Sequence, residues 1–380
     1  MSNSPTAVLL YMLLQDIYHY EINIYTIIED IVRFKPKNKT EIQFAIRQWT
    51  DKIYHTAAIV RYGPIEIWNT IMITDMSYLF DISNNYTIPI QPMLNITGWN
   101  VSNVTNMEGM FKNSYYYLET HFEKWDVGKV TTMQGMFYNM RGMFNAILND
   151  WDVSSVTNMS FMFFGCKNFN QPLGNWDVRK VETMESMFNL CEIFDSDICS
   201  WKVDKVKNMS HMFEQCHRFN QPIGNWNVIS VKDMSFMFFD CKVLDQSLNC
   251  WQIGNVETTG HMFDGCSSFN QPLGNWDVSS VKNMCNMFAD CIQFDRPLNN
   301  WNVDMVKDMR KMFYKCIRLN QEFDTWTIFQ CTDFTEMFYG CIQFRKSLRS
   351  WKMYYRVSKY NMFESIYPDN YKPQLIESTV

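Results

Sequence analysis

The chain of 380 residues lacks most of what an enzyme, a membrane protein or a nucleic-acid binder would show. It has no P-loop, no G-x-G-x-x-G and no G-x-S-x-G, which removes the common phosphate-cradling and serine-nucleophile signatures. Its six histidines form no H-E-x-x-H and pair with no reactive-looking cysteine. There is no C-x-x-C, so zinc ribbons and thioredoxin-type redox chemistry are without support, and no cofactor or metal is expected. No apolar run is long enough to span a bilayer. Positive charge is also in short supply. With 34 Lys and Arg against 40 Asp and Glu the net charge is −6, a poor balance for gripping a polyanion, so nucleic acid is disfavoured as a partner.

Tryptophan is what the chain has, and its spacing is regular. Trp151, Trp176, Trp201, Trp226, Trp251, Trp276, Trp301, Trp326 and Trp351 recur at one fixed interval, and Trp99 and Trp125 precede them at an interval longer by a single position. Such a period marks a stack of repeats, each packing on its neighbours. Positions are numbered below from each Trp as zero. In the copy that starts at Trp151, Val153 (+2), Val156 (+5), Met159 (+8), Met162 (+11), Phe163 (+12), Cys166 (+15), Phe169 (+18) and Leu173 (+22) carry the apolar pattern. Trp68, Asp75, Met76, Leu79 and Phe80 match the same template and begin a longer first copy, giving about twelve coils.

Offsets +8, +11, +12 and +15 lie on one face of a 3.6-residue period, which predicts a short helix in each coil. Offset +7 supplies Asn, Thr, Asp or Ser throughout, as a helix N-cap would. Trp at 0 and Val at +2 alternate with period two and predict a short parallel strand. The expected architecture is an α/β repeat, a right-handed solenoid of leucine-rich-repeat type, with residues 68–365 as its body. Residues 1–67 read as a helical N-terminal cap, with helical patterns over 7–18, 22–32 and 40 to about 62. Thr40 with Gln43 forms a capping box, and Gly63-Pro64 is a stop signal. Residues 366–380 form a C-terminal cap or tail. The apolar stretch at 7–14 has no Lys or Arg before it, and is read as the first cap helix rather than a signal peptide.

Eight of the twelve cysteines form a ladder at +15: Cys166, Cys191, Cys216, Cys241, Cys266, Cys291, Cys316 and Cys341. At the end of a buried stripe they act as small hydrophobes, which favours an intracellular, reducing compartment. Offset +19 alternates as Asn170, Asp195, Asn220, Asp245, Asn270, Asp295 and Asn320, the trace of a duplicated coil pair in which stacked like charges are avoided.

The strings Phe169-Asn-Gln-Pro-Leu-Gly-Asn-Trp-Asp-Val178 and Val156-Thr-Asn-Met-Ser-Phe-Met-Phe163 closely resemble the repeat of the BspA-like leucine-rich-repeat family, also called the mycoplasma-lipoprotein repeat, over about 68–365. Members occur in bacterial surface proteins and in large DNA viruses. The resemblance implies a solenoid without catalytic residues. Bacterial members are often lipid-anchored surface proteins that bind host molecules. Here the first cysteine is Cys166, which offers no such anchor. Richness in Asn, Lys, Ile and Tyr suits an AT-rich genome such as that of a large DNA virus.

The functional expectation is therefore a non-enzymatic scaffold that binds another protein, with host proteins as its targets if the source is such a virus. The alternative is an extracellular or virion-surface adhesin. Two coils place aromatic pairs at the outward offsets +10 and +13, Phe161 with Phe164 and Phe236 with Phe239, which are candidate partner anchors. Arg345, Lys346, Arg349, Lys352, Arg356 and Lys359 make a candidate basic patch on the last coil.

Overall fold

The computed structural model describes residues 33–81, 93–114, 117–118, 122–140, 144–354, 356–363 and 367–376. The cap-helix patterns over 7–18 and 22–32 lie outside them. Two helices, α1 (Lys39–Thr50) and α2 (His55–Tyr62), lead into the repeats. The sequence pattern suggested one helix capped by Thr40. The chain breaks at residues 51–54, and the cap is Asn38, whose side chain accepts the Glu41 N–H at 3.0 Å. Gly63, at φ 73°, ends α2. Helix α1 buries Ile42, Ala45, Ile46 and Trp49. Phe34 and Tyr62 pack their rings on Trp68, which stacks in turn on Trp99 at 6.1 Å, so the first tryptophan of the series is covered.

From Asp75 onward, one residue per coil joins a continuous parallel ladder: Asp75, Asn106, Thr132, Asn158, Thr183, Asn208, Asp233, Thr258, Asn283, Asp308, Asp333 and Ser358. All of them occupy offset +7, so twelve successive coils lie side by side in register. The backbone makes the ladder wider than one residue. In the coil of Trp176 the N–H groups of Met184, Ser186, Phe188 and Leu190 donate to the carbonyls of Asn208, Ser210, Met212 and Glu214 in the next coil, at 2.8–3.0 Å. The alternate N–H groups, of Met187, Asn189 and Cys191, turn back to the carbonyls three residues earlier.

This corrects the reading of a helix at +8 to +15. Among the described residues of the coils that segment is a run of turns. Phe161, Ser186, His211 and Phe236 at offset +10, and Asn139, Leu190, Gln215 and Asp240 at offset +14, have φ between 51° and 62°. A left-handed residue at every fourth position cannot continue a right-handed helix. The gain is in the stack. An isolated helix this short is marginal, whereas these turns point four N–H groups and four carbonyls of each coil at its neighbours and satisfy them there. The side chains at +7 do cap, but as Asx turns: Asn208 Oδ1 accepts the Ser210 N–H at 2.9 Å.

The strand expected at Trp and +2 is also absent from the described inner coils. There the Trp N–H bonds to the carbonyl three residues back and the +5 N–H to the +2 carbonyl, as Trp201 to Ile198 and Val206 to Val203 do, so local turns consume the backbone. Extended pairs occur only toward the ends among the described residues. β1 (Met93–Leu94) pairs in parallel with β2 (Tyr117–Leu118), and β3 (Lys352–Tyr354) with β4 (Gln374–Ile376). The second pair folds the tail onto the last coil, where Tyr367 stacks on Phe363 at 4.3 Å.

Two continuous aromatic columns fill the interior, with a third, interrupted one at +18, as in Phe169–Phe194 at 6.2 Å and Phe194–Phe219 at 6.1 Å. Successive tryptophans stack nearly parallel, as in Trp176–Trp201 at 6.3 Å and 1° and Trp301–Trp326 at 6.4 Å and 0°. Successive phenylalanines at +12 stack at 5.6–5.7 Å from Phe163 through Phe313. Offset stacks of this spacing add about 0.5–1.5 kcal/mol per pair beyond area burial. The buried Trp125 indole N–H has no partner among the described residues, but from Trp176 through Trp351 each indole N–H donates to the carbonyl 28 residues earlier, as Trp201 does to Leu173 at 2.9 Å. A large aromatic side chain is thereby buried with its polar atom satisfied.

Candidate functional site

The thiols at +15 belong to the core. Each donates to the +12 carbonyl of the preceding coil, as Cys191 to Phe163 at 3.1 Å and Cys291 to Phe263 at 2.9 Å. Burial pushes the Cys166 thiol up to about 12 and the next ones, from Cys191 to Cys316, well above the usual range. A thiol held neutral in this way is neither nucleophile nor metal ligand. No disulfide joins any of the twelve cysteines. Among the described residues no cluster of His, Cys, Asp and Glu is arranged to hold a metal ion, and no helix is long and apolar enough to cross a membrane.

The +19 alternation is a second ladder. The Oδ1 of each residue accepts the backbone N–H of its counterpart in the next coil, from Asn170 to Asp195 (2.8 Å) through Asn320 to Arg345 (3.0 Å). In the aspartate coils the same oxygen also accepts the Gln amide of the following coil, as Asp195 does from Gln221 at 2.9 Å and Asp295 from Gln321 at 2.7 Å. Acceptor-only aspartate alternates with an Asn-Gln pair because each Asp meets donors on the coil that follows it.

The candidate anchor residues lie on the surface at +10 and +13. Flanking the buried Met-Phe pair at +11 and +12, most side chains at these offsets are half-buried at the surface, while Ser186, Asn189 and Ala289 are buried. Besides the Tyr314–Tyr339 stack at +13, 5.7 Å apart with Lys311 and Lys315 over the Tyr314 ring, two aromatic patches contain the candidate anchors. In the first, Phe161 and Phe164 are half-buried, Phe164 stacks on Tyr138 at 4.5 Å and 4°, and Phe161 tilts against both rings. In the second, Phe236 is sandwiched between His211 at 4.6 Å and His261 at 4.2 Å, with Phe239 tilted against it at 5.8 Å. The four phenylalanines thus lie in two separate clusters, and each cluster includes rings the sequence pattern did not join to them. His211 and His261 share offset +10 with Phe236, and that shared offset was the available signal. Tyr138, at +13, could have been found the same way.

The second patch is charged. His211 meets Glu214, and His261 meets Asp264 at 2.9 Å. Burial opposes the charge on His261, but the hydrogen bonds to Asp264 and Cys285 and their charges prevail and raise it to about 9. The ring over Phe236 is thus an imidazolium at neutral pH, which strengthens the stack through a cation–π contact. In the first patch the Lys112 ammonium lies 5.1 Å over the Tyr138 ring. Beside it, a hydrogen bond to Glu108, reinforced by burial, raises the Tyr78 phenol to about 12.

The basic residues of the last coil do not converge. Arg345, Arg349, Lys352 and Arg356 are exposed, Lys346 reaches Glu322 at 3.4 Å, and the Arg345 guanidinium turns back to the Phe344 carbonyl at 2.7 Å. Their offsets run from +19 round to +8, so they and Lys359 are spread along the coil as a solvated rim.

No curated protein and no solved structure matches the chain. A family model does, at residues 48–172, 133–251, 191–289 and 261–372, overlapping spans that follow the repeats. The chain belongs to the family described as Mycoplasma protein of unknown function, DUF285.

Proposed function

We propose that this repeat protein is a non-enzymatic scaffold that binds another protein through its +10/+13 surface. The observation that carries the reading is the pair of outward aromatic clusters, around Phe161 and around Phe236, on a backbone whose other rungs at these offsets are mostly polar. Half-buried rings fixed by stacking lose little freedom on binding, which suits them as anchors. The buried, hydrogen-bonded thiols support residence in a reducing compartment. The resemblance to BspA-like repeats supports a right-handed, leucine-rich-repeat-like solenoid and a surface built for host molecules. The test is the double variant Phe161→Ser with Phe236→Ser, scored for thermal stability and for partner recovery from native cells. Loss of a specific partner at little-changed stability supports the reading. Full recovery of every partner removes it.

A further inference from the structure

The +10 column has an empty rung. In most coils a side chain stands at this offset despite its left-handed backbone: Tyr78, Phe161, Ser186, His211, Phe236 and His261 all have φ between 53° and 60°. Glycine is therefore not required there by conformation, yet Gly109 and Gly135 occupy two successive rungs at φ 56° and 57°. Gly109 has a packing cause. A Cβ on it would lie 2.4 Å from Tyr78 Cε1, because the Tyr78 ring leans over that rung. Gly135 has none. A Cβ there would meet only Tyr138 Cβ, at an ordinary 3.6 Å. What lies over Gly135 is a cavity of about 240 Å³, walled by the rings of Tyr78, Tyr138 and Phe161 and edged by Glu108, Lys112 and Gln134.

The second patch shows what such a rung holds when filled. There His211, Phe236 and His261 stack as flat rings at 4.2–4.6 Å, one per coil. The cavity is smaller than the roughly 300–1,000 Å³ typical of sites for drug-sized ligands. It has room for a single aromatic side chain and not for a cofactor. Charge on its edge is divided. The Glu108 carboxylate is engaged by the Tyr78 hydroxyl. Lys112 touches the Tyr138 face and, among the described residues, has no carboxylate within ion-pair distance.

We propose that the empty rung over Gly135 takes one aromatic side chain of a partner protein, stacked between Tyr78 and Phe161, from a segment that places a carboxylate beside that ring for Lys112. The proposal rests on the scaffold reading above and names its partner's chemistry. Stacking specifies a flat aromatic group, the small volume specifies one side chain, and the unmatched ammonium specifies the acidic neighbour.

The probe is the blocked tripeptide acetyl-Asp-Trp-Asp amide, followed by saturation-transfer NMR on the full chain, with acetyl-Asp-Leu-Asp amide and acetyl-Gly-Trp-Gly amide as controls. The tryptophan peptide should bind with its indole protons shifted upfield, and the leucine peptide at least about tenfold more weakly. Gly135→Phe, which fills the rung as Phe236 does, should reduce binding by about tenfold or more, with the circular dichroism unchanged. If that variant misfolds, Phe161→Leu, which removes a stacking face at similar volume, should weaken the same peptide. Lys112→Gln should erase the preference for the Asp-flanked peptide over the Gly-flanked one. Equal binding of the leucine peptide, undiminished binding by folded Gly135→Phe, or adenosine competing better than the tryptophan peptide would each overturn the proposal. Recovery of a native partner by Gly135→Phe but not by Phe161→Ser with Phe236→Ser removes the slot and leaves the scaffold standing.

Discussion

Gly265→Ala separates the observed turn ladder from a helical coil by the sign of its effect. Gly265 sits at +14 with φ 77°. An alanine there costs about 1–2 kcal/mol for a left-handed backbone. Its Cβ would also come within 3.1 Å of Asp240 Oδ1 and 3.2 Å of Asp240 Cα, and the second of these is backbone held in the ladder by the Asp240 N–H to Asp264 carbonyl bond. Loss of freedom in the unfolded chain offsets about 0.4–1 kcal/mol. The net expectation is a destabilisation of about 1–2 kcal/mol, or roughly 0.5 M in the urea midpoint for a slope near 3 kcal/mol/M. Were the segment a helix, the same change would stabilise by about 0.8–1 kcal/mol. Gly274→Ala is the control. Its backbone is not left-handed, and its Cβ would meet the Pro297 carbonyl oxygen at a comfortable 3.6 Å, so it should be neutral or slightly stabilising. The assay is urea denaturation followed by tryptophan fluorescence and far-ultraviolet circular dichroism. A midpoint for Gly265→Ala at or above that of Gly274→Ala would refute the turn geometry.

Three further outcomes rest on the same stack. The His261 pKa is raised to about 9 in the fold, so its contribution is complete below about pH 6.5 and is lost as pH rises toward 9. Urea midpoints should fall over that window by an amount equivalent to about 1–2 kcal/mol after solvent screening, and Asp264→Asn should flatten the profile; an unchanged slope in that variant would rule out the pair as its source. Asn220→Ala removes the acceptor of the Asp245 N–H and Asn208→Ala that of the Ser210 N–H, so each should cost about 0.5–2 kcal/mol, and a near-zero loss at Asn220 alone would show the +19 ladder to be ornamental to stability. Cys250 is exposed and should label with a thiol reagent in the native state, whereas the buried cysteines at +15 should label only in denaturant; native labelling of Cys216 or Cys241 by mass spectrometry would contradict the closed core.

The repeat period and its buried set were legible because burial imposes them directly. Trp, Val, Met-Phe and Cys recur where a stack must bury side chains, and the interior columns consist of those residues. Backbone direction was harder to read. Offsets +8, +11, +12 and +15 fall on one side of a helix, but they fall equally on one side of a run of turns that alternates hands. The discriminating signal lay at +14, where seven of the ten coils described at that offset carry Gly, Asn or Asp: Asn113, Asn139, Gly165, Asp240, Gly265, Asp290 and Gly340. Those residues tolerate a left-handed backbone, and a helix has no use for them there. The aromatic clusters were half legible. Phe161 and Phe236 stood out in their own coils, but a ring's neighbours across the stack are found only by reading one offset down every coil.

The columns explain how the molecule can keep its architecture while its surface varies from coil to coil. At +7, +12, +15 and +19 each residue's partner is its own counterpart, or a fixed offset, in the adjacent coil. A change at those offsets must be matched on both sides, so the columns stay uniform, or alternate strictly where donor meets acceptor. At +10 and +13 the backbone bonds are made regardless of the side chain, since the hydrogen bonds there join main chain to main chain. Side chains at these offsets are released from the ladder and can be rings, amides, charges or nothing. The empty rung at Gly135 and the filled one at Phe236 are two settings of the same position. A surface of this kind changes its shape coil by coil, according to which rungs are filled.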